Sequence, residues 1–175
     1  MKEEERFDFY EKFYFHELDR KEKLISRLNM PMVMLIGLLS FFGYMLNKAP
    51  SAQDGWHGVF FWTLYDCAFI CLLVSSWFFK AAWGRGSYDY VLPVLDVLEK
   101  YRVTLCSYYL GEPDAEKICD TQYKEVIEQY YIKGGTTNAQ NNDIRTNDLN
   151  QLSKFVLLSF VLSMLSFVPF YLTGN

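Results

Sequence analysis

Three stretches of the chain carry almost no charge, and the remainder carries nearly all of it. The first, Leu28 to Leu46, is nineteen residues without a charged side chain. The second, Val59 to Phe79, is twenty-one residues interrupted only by Asp66. The third, Phe155 to Leu172, is eighteen uncharged residues weakened by Pro169 and by Ser159, Ser163 and Ser166. At ~1.5 Å per residue, helices of these lengths reach roughly 28, 31 and 27 Å, close to the hydrocarbon thickness of a bilayer. The pattern predicts an all-α integral membrane protein with about three transmembrane helices. A hydrophobic cytosolic helix is the competing reading of the third stretch.

The polar regions have their own periodicity. Residues 1–29 form a charged and aromatic N-terminal helix, in which Phe7, Phe9, Tyr10, Phe13, Tyr14 and Phe15 alternate with Asp8, Glu11 and Lys12. Such aromatics suit a membrane interface or a helix packed on a cytoplasmic bundle. Glu17, Asp19, Arg20, Lys21, Glu22 and Lys23 read mostly as solvated helix-face pairs. Residues 28–82 form a transmembrane hairpin, and residues 83–154 a cytoplasmic helical region. There Val91, Leu95, Leu98, Leu105 and Tyr109 recur at helical spacing and mark an apolar face. Gly111-Glu112-Pro113 breaks it, and a second helix is expected from Pro113 to Gly134-Gly135, with Cys119, Tyr123, Val126 and Tyr130 as its apolar face. Residues 134–150, rich in Asn, Thr and Gly, predict a flexible connection or an irregular helix start.

Composition changes the picture little. The 175 residues are 51% hydrophobic, 18% aromatic and 22% charged, which excludes intrinsic disorder and suits one domain with at most a small appendage. A net charge of -4 offers nucleic acid no attraction, so no direct nucleic-acid binding is expected. The distribution of lysine and arginine is more telling. Seven of the 17 precede the first span, one (Lys48) lies in the first loop, nine fall from Lys80 to Lys154, and none follows Leu172. The positive-inside bias puts the N-terminus and the middle region in the cytoplasm, with the first loop and the C-terminus outside. No secretory signal peptide is expected, so insertion relies on the internal apolar segments.

Asp66 is the sharpest candidate for chemistry. A carboxylate within a membrane helix costs ~2.5–3.5 kcal/mol on insertion scales, so it should face protein or water. It is either a pore-lining or gating acid or a hydrogen-bonding partner of a neighbouring helix. Ser159, Ser163 and Ser166 share one helix face, and Gly37 and Ser40 do similar work in the first span. Close helix packing through small residues is the stronger reading of both sets, and a wetted channel stripe the other. Cys67, Cys71, Cys106 and Cys119 sit in no metal or redox spacing. No phosphate loop, Ser-His-Asp set or zinc spacing occurs, so neither cofactor, metal nor enzyme activity is expected.

The stretch from Phe13 to Leu46 (FYFHELDRKEKLISRLNMPMVMLIGLLSFFGYML) resembles the opening of bacterial proteins related to the SLATT class of two-span effectors. That resemblance covers residues 1–133. It implies paired membrane helices followed by cytoplasmic helices, and an oligomeric pore that permeabilises the membrane in antiphage defence when a neighbouring sensor triggers it. The helical plan is also similar to the small accessory membrane proteins of type VI-B CRISPR loci, which implies a CRISPR effector as partner. Some of those carry a ribonuclease motif in which an Arg is followed by a His at a four-to-six-residue spacing. Here Arg145 is followed at that spacing by Asn150, Gln151 and Leu152, so the His is missing.

The expectation is therefore a homo-oligomeric inner-membrane pore, contacting lipid and receiving a signal through its cytoplasmic helices. Leu95, Leu98 and Leu105, facing Tyr123 and Val126, are the expected assembly seam. The competing functions are a membrane scaffold that recruits a cytosolic partner and a small transporter with Asp66 in its substrate path.

Overall fold

The computed structural model describes residues 3–47, 49–50, 55–84 and 95–173. Among these the chain forms five α-helices: α1 (Glu3–Ser26), α2 (Asn29–Leu46), α3 (Trp56–Gly84), α4 (Leu95–Tyr108) and α5 (Ala115–Thr173). Three helical stretches are long and apolar enough to cross a membrane, within Glu4–Leu46, Trp56–Gly84 and Ala115–Val168. Val91 lies outside the described residues. The chain divides into two compact units, residues 1–22 with 86–143 and residues 23–85 with 144–175.

In the second unit, burial follows a three–four step. On α3 the buried positions are Gly58, Phe61, Tyr65, Ala68, Leu72, Ser75 and Ala82. On α5 they include Leu149, Leu152, Val156, Ser159, Ser163 and Ser166. Leu38, Phe42 and Met45 supply the same step from α2. A 3.5-residue repeat keeps one face of each helix against its neighbours when helices pack nearly in line. Two hydrogen bonds fix the register of α3 on α5. Arg145 Nε donates to the Ala82 carbonyl at 2.8 Å, and Ser159 Oγ to the Ala68 carbonyl at 2.9 Å. One member of each pair advances as the other retreats, so these helices are antiparallel. Phe41 meets Phe167 at 6.0 Å between ring centroids, and Tyr65 Oη donates to the Phe42 carbonyl at 3.3 Å. Pro31, which lacks an N–H, costs nothing in the first turn of α2.

In the first unit, α1 and α5 run parallel. Arg6 pairs with Glu128 at 2.8 Å, Tyr131 Oη donates to Glu11, and Arg20 pairs with Asp143 at 2.7 Å, each contact advancing along both helices together. Tyr131 sits among the rings of Phe7, Tyr14 and Phe15 at centroid distances of 5.5–6.3 Å. The N-terminal aromatics thus partly serve to seat α1 on α5, while Phe9 and Phe15 stay about half exposed. Cys106 of α4 and Cys119 of α5 form a disulfide with Cα atoms 5.1 Å apart, although no redox spacing marks them in the sequence.

Burial holds the Tyr131 phenol above its ordinary value, and the nearby Glu11 carboxylate adds to the shift. A raised folded-state value gives stability that is complete below the unfolded value of about 10 and lost as pH rises through the folded one. Wild-type protein should therefore lose helical circular dichroism on titration above about pH 10 more steeply than Tyr131→Phe, which has no phenol to ionise. Superimposable profiles would contradict this packing of Tyr131.

Three expectations are corrected. Residues 134–150 are not an irregular helix start; they are the middle of the regular helix α5. Gly135 does not end a helix but lets α1 approach: a Cβ there would lie 2.9 Å from Phe13 Cδ1 and 3.7 Å from Tyr14 Cα. Asn138 and Asn142 are fully buried rather than in a turn. Glu17 is likewise no solvated face residue, being 4% exposed. Within this chain Leu95, the first residue of α4, is 83% exposed, whereas Leu98 is buried and Leu105, Tyr123 and Val126 are half-buried.

Candidate functional site

The long helix α3 presents opposite faces of different character. Its buried face consists of the seven seam positions named above. Its outward face carries Thr63, Asp66, Cys67, Ile70 and Trp77, all exposed. At 100° per residue these positions cluster on one side of the helix, a stripe opposite the seam. Thr63 satisfies its hydroxyl within the helix, donating to the Val59 carbonyl at 2.8 Å. The Asp66 carboxylate remains as the charge on this stripe, inside a stretch apolar enough to span a membrane.

The seam itself holds no wet channel. Phe42, Phe61, Met45 and Leu152 are at most 1% exposed and fill the space between the three helices. Ser159, Ser163 and Ser166 are fully buried in that seam. Their hydroxyls donate to the carbonyls of Ala68, Phe160 and Ser163 at 2.8–2.9 Å, which leaves none of them lining a water path within the unit. Small side chains here let α5 lie close to α3, where van der Waals contact drives association in lipid. Gly37 and Ser40 differ. Both lie on the exposed side of α2, nothing stands within 4 Å of a Cβ placed on Gly37, and Ser40 Oγ donates to the Ile36 carbonyl. Within this chain they do not pack the seam.

Polar residues that sequence reasoning missed hold the helices together outside the apolar core. Arg145 is 3% exposed, and its bond to Ala82 sits two residues before the end of α3. A guanidinium there meets the carbonyl-rich, negative end of the helix dipole. The contact ties α5 to the end of α3. In the first unit, Asn142 Nδ2 donates to both the Glu17 carbonyl at 2.7 Å and Glu17 Oε2 at 2.9 Å, and Arg20 Nη1 reaches the same carboxylate at 3.4 Å. The signal that could have found these residues is the three–four step, which runs unbroken through Glu128, Tyr131, Gly135, Asn138, Asn142 and Arg145 into Leu149 and Leu152. Among the described residues no cluster of His, Cys, Asp and Glu could hold a metal ion.

No protein-family model, curated protein or solved structure matches this chain.

Proposed function

We propose that copies of this chain assemble in a bacterial inner membrane into a pore, with the outward stripe of α3 turned toward the shared path. The observation that carries this reading is the pairing of an exposed carboxylate, about a third of the way into the span, with a packed protomer interior. Left against lipid, Asp66 costs ~2.5–3.5 kcal/mol on insertion scales, and burial inside the protomer is not open to it. Enclosure between copies relieves that cost, with Asp66 facing water or bonding across an interface. In this reading the N-terminus and the 83–154 region are cytoplasmic and the C-terminus is outside, following the distribution of lysine and arginine. The Cys106–Cys119 pair, 5.1 Å apart at Cα, then rests as thiols in the reducing cytosol. A signal from a cytosolic partner shifts the packing of the spans and opens the path, and antiphage membrane permeabilisation is the role such a device suits. No catalytic step enters this mechanism.

A transporter with Asp66 in a path through one protomer fits less well, because that path is filled by Phe61, Tyr65 and Phe42. A passive scaffold would carry no ions, and flux separates it from the pore. Purified protein in liposomes is expected to dissipate a potassium gradient, and Asp66→Asn is expected to lower cation preference while leaving oligomer size unchanged, since volume is kept and charge lost. Absence of flux in wild type would favour the scaffold. Unaltered selectivity in Asp66→Asn would remove the acid from the path.

A further inference from the structure

A groove between α2 and α5 in the second unit is built like a lipid site. Its upper part has a volume of about 490 Å³ and is polar at one end, where Arg27, Asn150 and Ser153 line it, and apolar at the other, where Met34 and Leu157 do. Met34 also lines a second cleft of about 310 Å³, continued by Gly37, Phe41 and Met164. Volumes of 300–1,000 Å³ are those of ordinary small-molecule sites. The two clefts therefore share a wall and follow the same pair of helices, polar at the start and apolar from there on. Along α5, Asn150 to Met164 is roughly 21 Å at the helical rise, longer than half of a ~30 Å hydrocarbon core and so long enough for one leaflet's acyl chain.

The charge at the polar end selects the occupant. Arg27 is exposed at the entry to α2, and among the described residues it makes no ion pair. An arginine fork suits a phosphate bidentately, and the amide of Asn150 adds a neutral partner for a headgroup's glycerol oxygens. Gly37 lines the lower cleft, and nothing stands within 4 Å of a Cβ placed there. We infer that this groove holds one anionic phospholipid, its phosphate at Arg27 and an acyl chain laid past Met34 and Gly37. The site needs only that the apolar helices lie in lipid; it does not depend on pore formation.

The test is native mass spectrometry of full-length protein from detergent micelles doped with equal amounts of phosphatidylglycerol and phosphatidylcholine. Wild type is expected to retain phosphatidylglycerol with roughly fivefold preference, the factor set by one basic residue at an anionic surface. Arg27→Gln should bring the two lipids to parity without loss of fold, because Arg27 is exposed. Gly37→Trp should fill the lower cleft and lower retention of both lipids, and soluble glycerol phosphate should not displace the bound lipid. Equal retention of both lipids by wild type would overturn the inference, as would unchanged preference in Arg27→Gln. Displacement by glycerol phosphate would assign the site to free phosphate esters instead. Circular dichroism of both variants, expected to match wild type, reports separately on folding.

Discussion

Replacing Arg145 with methionine is expected to destabilise the protein by about 3 kcal/mol, the scale of a buried charge-assisted hydrogen bond together with the partners it leaves behind. The guanidinium is 3% exposed and donates to the Ala82 carbonyl at 2.8 Å, so its removal strands an acceptor at the last turn of α3. Asp148, one turn further along α5, is itself only 4% exposed and would remain in a site that has lost its positive charge. Methionine keeps most of the length of the side chain, which separates loss of charge from loss of volume. Lysine should restore part of the stability, because it keeps the charge but not the planar donor geometry. Chemical denaturation in detergent, followed by helical circular dichroism, measures the difference. A change below about 0.5 kcal/mol, the usual size for an inconsequential surface site, would contradict that tie.

The Asn142–Glu17 contact should be nearly as costly to break, and its cost should depend on which partner remains. Asn142→Leu leaves the Glu17 carboxylate buried with only the 3.4 Å Arg20 contact, and a loss of about 3 kcal/mol is expected. Replacing both partners, as Asn142→Leu with Glu17→Met, removes the orphaned charge and should recover most of that loss. The pairwise coupling in the double-mutant cycle is the quantity that decides. Additive effects would mean that the two side chains do not share one buried contact. A polar pair at a seam position also fixes register, since sliding α1 along α5 would separate Asn142 from Glu17.

The parts of the fold that follow from hydropathy were readable in the chain; those set by polar packing were not. Three apolar stretches announce three spanning helices, because length and absence of charge are sufficient for that inference. Gly111-Glu112-Pro113 likewise marks the break between α4 and α5, as glycine and proline act locally. Residues 134–150 fail as a local reading for a physical reason. Asn138, Asn142 and Gly135 are poor helix formers alone, yet each is buried against another helix or admits one, and tertiary contact overrides propensity. Glu17 was misread for the same cause: its neighbours in sequence are charged, but its neighbour in space is Asn142. The site shows a similar division. The oddity of Asp66 is plain from composition, whereas its outward direction needs the register of α3, which Ser159 and Arg145 set from the far end of the chain.

The assembly of copies across the outward stripe of α3 is the claim on which the pore rests, and cysteine cross-linking in native membranes tests it most directly. Ile70 lies at the centre of that stripe, one turn from Asp66, and Leu158 is exposed on α5. With Cys67, Cys71, Cys106 and Cys119 replaced by alanine, Ile70→Cys should form disulfide-linked dimers on mild oxidation, since paired Cα atoms must approach within about 7 Å. Leu158→Cys, turned elsewhere, should stay monomeric under the same treatment. Efficient cross-linking at position 70 with none at 158 is the result expected. No dimer from Ile70→Cys, at protein levels matched to the wild type, would show that the Asp66 stripe is not where copies meet.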